Sequence, residues 1–151
     1  MTCKILVLIL KARRGRSRLC MRRLARDAAK SGQRLVLLSG GELTVTVTGN
    51  GRGGPNQEYA LALALELGGH PGIVALAGDT DGTDGGGGKA DDPAGALIDE
   101  TTLERAAALG LNPAAFLANN DATGFFEHLG DLLTPGPTGT NVNDLRAIII
   151  G

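Results

Sequence analysis

Tryptophan is absent from this 151-residue sequence, tyrosine occurs once and phenylalanine three times. So few rings leave little to stack on bases, which argues against nucleic acid as a partner. Cysteine occurs only at Cys3 and Cys20, without metal-ligand spacing or the density of a disulfide scaffold. That usage reads as thiols in a reducing compartment and gives the expectation of a cytoplasmic protein. No stretch is long enough to span a bilayer. The run Ile5-Leu-Val-Leu-Ile-Leu10 has six residues and is followed by a basic segment rather than a small-residue cleavage site, so it reads as a core strand and not as a leader or membrane anchor.

Glycine and acid are present in quantity. There are 24 glycines, consistent with many tight turns or ligand loops. The net charge of −1 conceals an uneven distribution. Residues 1–34 carry 11 Lys and Arg against Asp27 alone, a balance of +10, while residues 35–151 carry 4 bases and 15 acids, a balance of −11. This splits the chain into a basic segment, 1–34, and an acidic remainder, 35–151, with different partners or histories.

Hydrophobic periodicity predicts alternating elements. Lys4–Leu10 and Arg34–Leu38 read as strands with a helix over Ser17–Lys30 between them. Leu43-Thr-Val-Thr-Val-Thr48 alternates with period two and predicts a strand with one wet face. Tyr59-Ala-Leu-Ala-Leu-Ala-Leu-Glu-Leu67 also alternates, but Ala and Leu are helix formers and Gly68-Gly69 follows, so a buried helix from Pro55 is expected. Gly72–Ala77 reads as a strand and Ala94–Ile98 as a strand or helical turn. Thr101-Thr-Leu-Glu104 is read as a capping box opening a helix to Leu109. Asn112-Pro113 caps a short helix, Asp121–Leu129 is helical, and Asp144–Ile150 is a last strand. Leu43, Ile73, Val74 and Ile148 are assigned to the core. The expectation is a three-layer α/β/α domain with a mainly parallel or mixed sheet.

Four loops carry the unusual chemistry: Ser39-Gly-Gly-Glu42, Gly49-Asn-Gly-Arg-Gly-Gly-Pro-Asn-Gln-Glu58, Gly78-Asp-Thr-Asp-Gly-Thr-Asp84 with the glycines after it, and Thr134-Pro-Gly-Pro-Thr-Gly-Thr-Asn-Val-Asn-Asp144. Each lies where a strand ends or a helix begins, and ligand crevices of open α/β sheets lie at such ends. The second loop has the makings of an anion site at a helix N-terminus, with Arg52 beside it; it is equally a mobile turn. Asp79, Asp81 and Asp84 offer the oxygen ligands of a hard cation such as Mg²⁺, or form a solvated acidic turn. Thr138, Thr140, Asn141 and Asn143 suit the orientation of hydroxyls or phosphates and are also good turn formers.

Taken together and in this order, the runs SGGELTVTVTGNGRGGPNQEYALALAL, AGDTDGTDG, NNDATGFFEHLGDLL and GPTGTNVNDLRAIII resemble the MOFRL domain, the C-terminal domain of type-2 glycerate kinases, also called hydroxypyruvate reductases. The resemblance runs from about Leu35 to the end. It implies ATP- and Mg²⁺-dependent phosphorylation of D-glycerate at its 2-hydroxyl, in a cleft between this domain and a larger N-terminal one. It implies catalytic roles for Asp81, Asp84 and Asn141, and Mg²⁺ ligation by Asp79 and Asp81. Substrate or phosphate contacts fall to Ser39, Gly40, Gly41, Glu42, Arg52, Gly53, Gly54, Asn56, Gln57, Glu58, Thr80, Thr138, Thr140 and Asn143. Where the family usually has arginine this chain has Pro55, which removes a natural phosphate partner. The chain is therefore expected to be a truncated or divergent member, weakly active alone and in need of a separate N-terminal glycerate kinase domain. The alternatives are an NAD(P)H-dependent hydroxypyruvate reductase and a non-catalytic binding module. Against the reductase, the Gly49–Gly54 run is one residue short of a dinucleotide fingerprint.

Overall fold

The computed structural model describes residues 4–7 and 16–151, and side chains from Met21 onward. Six strands form one sheet in the order β1-β2-β6-β3-β4-β5. They are β1 (Lys4–Val7), β2 (Leu35–Gly41), β3 (Ile73–Asp79), β4 (Gly95–Ile98), β5 (Leu132–Leu133) and β6 (Asp144–Ile150). The helices are α1 (Arg16–Lys30), α2 (Pro55–Leu67), α3 (Thr102–Ala108), α4 (Pro113–Ala118) and α5 (Ala122–Leu129). β1 and β2 are parallel and every other pairing is antiparallel. The fold is α/β with a mixed sheet, as the alternation of elements implies. Residues 8–10 of the first expected strand lie outside the described residues.

β6 occupies the centre because it is apolar and matches both neighbours residue for residue. Leu35–Gly41 pairs with Ile150–Asp144 on one side, and Ile73–Asp79 pairs with the same residues on the other. One face of the sheet buries Leu37, Ile73, Ala75, Ala77, Ala96, Ile98, Ile148 and Ile150. Helices α1 and α2 cover it. α1 contributes Met21, Ala25 and Ala28, spaced along one helical stripe, to the same core as Leu37 and Ile148. α2 is buried on nearly all sides, packed between the sheet and helices α1, α4 and α5, which explains why neither its alanines nor its leucines alternate with polar residues. Gly68 ends α2 in the left-handed conformation at φ 65°, with its N–H on the Ala64 carbonyl.

Among the described residues nothing covers the other face of the sheet. Val74, Leu97, Leu145 and Ile149 are 43–49% exposed there. The described residues thus form two of the three expected layers, and Val74, assigned to the core from sequence, sits on that other face. Leu43–Thr48 is not a strand. Its alternation survives as alternating exposure over residues 43–46, but its N–H groups find side chains instead of a ladder: Leu43 donates to the Asp144 carboxylate, and Thr48 and Gly49 to Asn120 Oδ1. The capping box at Thr101 is also absent, since Thr101 makes no side-chain cap bond. Asp99 does that work, accepting from the Thr101 N–H at 2.8 Å while its own N–H donates to Thr102 Oγ1 at 2.9 Å. Asn112 caps α4 as the sequence implies, through bonds from the N–H groups of Ala114 and Ala115.

Candidate functional site

Because β2 and β3 run together and β6 runs against them, the ends of β2 and β3 meet the start of β6 at one edge. Gly41, Asp144 and Asp79 stand in register there. The acidic loop after β3 and the Thr/Asn loop before β6 are therefore neighbours and are stitched together. The Thr80 hydroxyl donates to the Asn143 carbonyl and accepts the Val142 N–H, both at 2.8 Å. Thr138 Oγ1 donates to the Thr80 carbonyl. Asn141 Nδ2 donates to Asp81 Oδ2 at 3.1 Å, and the Thr83 N–H reaches Asp81 Oδ1 at 2.9 Å. Asn143 holds φ 63°, a left-handed conformation that asparagine tolerates, and its N–H bonds Asn141 Oδ1 at 2.9 Å. Thr138, Thr140, Asn141 and Asn143 are exposed, and Asp79, Thr80 and Asp81 are half-buried. Beside them runs an open groove of about 650 Å³, with Asp79, Thr80 and Thr140 on its polar side and Leu76, Leu133 and Leu145 on its apolar side.

The rest of the expected constellation is a buried brace. Asp84 is 4% exposed. Its Oδ1 accepts the Asn56 N–H and side-chain amide at 2.9 and 3.1 Å, and its Oδ2 accepts the same groups of Gln57 at 2.9 and 3.1 Å. Those N–H groups are the open donors of the α2 N-terminus, where the partial positive charge of a helix collects. The sequence marks this terminus as an anion site, and the anion it holds is the protein's own aspartate. Asp84 is thus a cap supplied from a distant loop rather than a group facing a reactant. Gln57 passes the network on, its Oε1 accepting from Thr123 Oγ1 at 2.6 Å.

The glycine-rich loop is likewise consumed by packing. A side chain on Gly49 or Gly51 would strike the Asn119–Asp121 backbone or the Asp121 side chain, and one on Gly54 would strike Asp84. These glycines allow close approach of protein to protein. Asn120, at φ 54°, anchors the loop by accepting from Thr48 and Gly49 and donating to Glu58 Oε1 at 2.6 Å. Arg52 is engaged with Glu127 at 2.6 Å, both side chains being more than half exposed. Gly53, Gly54, Asn56, Gln57 and Glu58 therefore hold the loops, and the Arg52 guanidinium is taken up by Glu127. Ser39 is buried, while Gly40 and Gly41 lead to an exposed Glu42.

Asp144 and Arg146, which the sequence reading passed over inside an apolar strand, tie the ends together. Arg146 is wholly buried. Its guanidinium donates to Ser39 Oγ at 3.1 Å, to the Gly40 carbonyl at 2.6 Å and to Asp144 Oδ2 at 3.2 Å, and lies 5.5 Å from the Tyr59 ring centroid. Asp144 also accepts from the Leu43 N–H and from Asn56 Nδ2. The available signal was a charged pair at i and i+2 in a strand whose other inward residues are aliphatic: the two point to the same, buried face.

Burial pushes the Asp84 carboxyl above the ordinary carboxylate range, against the lowering effect of its four hydrogen bonds. Asp79 is also raised, first by burial and then by the negative charges of Asp81 and Asp144, with the Asp81 N–H working the other way. Glu58 is raised by burial, partly offset by Asn120. Among the described residues no group of three or more His, Cys, Asp or Glu is arranged to hold a metal. Asp79 and Asp81 remain as a pair on the rim, and their crowded negative charge fits a divalent cation that completes its shell elsewhere. Among the described residues no helix is long and apolar enough to cross a membrane.

Comparison with known proteins bears on these residues. Residues 35–144 match the sequence model of the MOFRL family. A putative hydroxypyruvate reductase of Agrobacterium vitis is 50% identical over 118 residues, covering 77% of this chain and 26% of its own length. The D-glycerate 2-kinase of Thermotoga maritima is 47% identical over 110 residues, covering 73% of this chain and 25% of its own. The crystal structure of a T. maritima glycerate kinase superposes with a TM-score of 0.86 at 35% identity, over 99% of this chain and 36% of that one. The chain thus spans about a quarter to a third of the length of these relatives.

Proposed function

The chain belongs to the MOFRL family, and on that premise we propose that it supplies one wall of a glycerate 2-kinase cleft. The reaction is transfer of the γ-phosphoryl group of ATP to the 2-hydroxyl of D-glycerate. The observation that carries this reading is the Asp81–Asn141 bond, which fuses the acidic loop and the Thr/Asn loop into one polar rim on an open groove. Phosphoryl transfer asks for positioning and charge neutralisation more than covalent chemistry, and this rim offers both. Asp81 accepts a hydrogen bond from the substrate hydroxyl and orients it, with Asn141 fixing the carboxylate. Thr140 and Asn143 present a hydroxyl and an amide to substrate oxygens, while Thr80 and Thr138, whose hydroxyls donate to the Asn143 and Thr80 carbonyls, hold the two loops together. Asp79 and Asp81 together would hold Mg²⁺, which supplies charge neutralisation for the phosphates when bound.

A second wall is required in this reading. Transfer depends on excluding water and fixing both substrates, and one open rim does neither. Position 55 adds to this, since Pro55 opens α2 with no side chain able to grip a phosphate. The reductase alternative draws on the names of the A. vitis relatives. It is disfavoured because the helix terminus after the glycine loop is already filled by Asp84, leaving no place there for a pyrophosphate.

The test is incubation of the chain with ATP, Mg²⁺ and D-glycerate, following 2-phosphoglycerate, and separately with NADH and hydroxypyruvate, following absorbance. Trace or no phosphorylation by the chain alone is expected. Adding the remainder of a relative, together with Pro55→Arg, should raise it, and Asp81→Asn should abolish the gain. Full kinase activity from the 151 residues alone would overturn the two-wall reading, and NADH oxidation would replace kinase with reductase.

A further inference from the structure

The face of the sheet that the described residues leave uncovered has a composition unlike that of a solvated surface. Its positions on the four central and adjoining strands are Val36, Leu38 and Gly40 on β2, Leu145, Ala147 and Ile149 on β6, Val74, Leu76 and Gly78 on β3, and Gly95 and Leu97 on β4. None carries a charge or a hydrogen-bonding side chain. The register makes them contiguous: Val36, Ile149 and Val74 form one row, and Leu38, Ala147, Leu76 and Leu97 the next. A sheet with one face in water alternates apolar with polar residues, whereas strands apolar on both sides belong to sheets covered on both sides. An apolar patch of this extent marks a contact surface.

We propose that this face seats a helical layer from the polypeptide that lies, in longer relatives, outside the span matched by this chain. Four strands about 4.8 Å apart, with seven residues rising about 3.3 Å each, make the face roughly 19 Å by 23 Å, which two helices of about 10 Å diameter cover side by side. The T. maritima glycerate kinase chain has ample length for this, since 99% of the present chain accounts for only 36% of it. The face also runs into the candidate site. Leu76 and Leu145 belong to it and line the groove beside Asp79 and Thr80. Helices lying on the face therefore roof the groove as well. The fitting partner is a pair of amphipathic helices with aliphatic inner sides and polar outer ones. This deepens the two-wall reading and rests on it by naming where the second wall docks.

The test contrasts one substitution pair in two proteins. In the 151-residue chain, Leu97→Glu and Ile149→Glu replace side chains 43% and 49% exposed and should shift the melting temperature by less than about 3 °C. At the aligned positions of intact T. maritima glycerate kinase the same changes should lower the guanidinium midpoint by about 0.5 M or more, because the new charges would be buried under the helical layer. An unchanged midpoint in the longer enzyme overturns the proposal. So does a concentration-dependent dimer of the short chain, seen by light scattering and dissociated by Ile149→Glu, which would make the occupant a second copy. Neither measurement uses glycerate: if the contrast appears but no phosphorylation is found, the docking surface stands and the kinase reading falls.

Discussion

Replacing Asp84 by alanine should unfold the chain at a much lower temperature, although the residue lies in a loop that looks like a ligand site. Asp84 accepts four hydrogen bonds, two from backbone N–H groups at the α2 N-terminus. In the variant the Asn56 and Gln57 N–H groups and the Gln57 amide lose their acceptor inside the protein; the Asn56 amide keeps Asp144 at 2.7 Å. Each orphaned buried donor costs about 1–3 kcal/mol. Water entering the vacated space and the release of a carboxylate that burial disfavours offset part of this. The net loss is about 3–5 kcal/mol, the range for breaking a buried charged contact from one side. For a domain of this size that is about 8–15 °C in melting temperature. Circular dichroism melts with matched urea titrations would measure it. Asp81→Asn serves as the comparator, a half-buried rim residue whose loss should cost under about 1 kcal/mol. If Asp84→Ala melts within 2 °C of the parent, Asp84 is not the cap described, and the assignment of the glycine loop to packing weakens with it.

Gly54→Ala should lower the melting temperature by about 5 °C or more, since the added methyl meets Asp84, whereas alanine at Gly139, which has open space but φ 74°, should cost only about 1 kcal/mol. A double-mutant cycle on Arg52 and Glu127 should yield a coupling below about 1 kcal/mol that falls with salt, as for other exposed pairs; a larger, salt-resistant value would contradict the geometry. The raised folded-state pKa values mean that Asp79 and Asp84 take up a proton more readily in the fold than in the unfolded chain. Their contribution is therefore fully present below the ordinary carboxylate value of 3.8 and is lost as pH rises through the raised values. Asp79→Asn should flatten that part of the profile in urea midpoints taken from pH 3.5 to 7, and an unchanged slope would show that Asp79 does not titrate as its surroundings imply.

Much of the architecture could be read from local pattern. Continuous apolar runs such as Ile73–Ala77 and Ala147–Ile150 became sheet, and the Ala/Leu segment became the central helix, because propensity and the following Gly68 agreed against the alternation. The convergence of the loops at one edge followed from where strands end. What escaped was decided by partners distant in sequence. Leu43–Thr48 has the period of a strand, but its N–H groups meet Asp144 and Asn120, 101 and 72 residues away in the chain. Asp84 and Asp81 are three positions apart with the same side chain, and only the arrival of α2 makes one a cap and leaves the other on the rim. Glycines built for an anion and glycines built for close packing are identical in sequence. Arg146 was hidden because its local partner, Asp144 two residues before it, satisfies only part of a buried guanidinium. The rest falls to Ser39 and Gly40, more than a hundred residues upstream.

The central place of β6 has a consequence for biosynthesis. β2 is complete at Gly41, yet the strand that separates it from β3 begins at Asp144. At about 5–20 residues per second, a ribosome leaves roughly 5–20 s between the two. Throughout that interval the inner edge of β2, joined by that of β3 once residue 79 has been made, carries unpaired N–H and carbonyl groups, and each is a template for another strand. Direct pairing of β2 with β3 is a trap open to the nascent chain, and the arrival of Arg146, which can be buried only against Ser39 and Gly40, selects the correct register. Until then a holdase that covers strand edges would favour soluble yield, and slowing translation ahead of residue 144 would lower it.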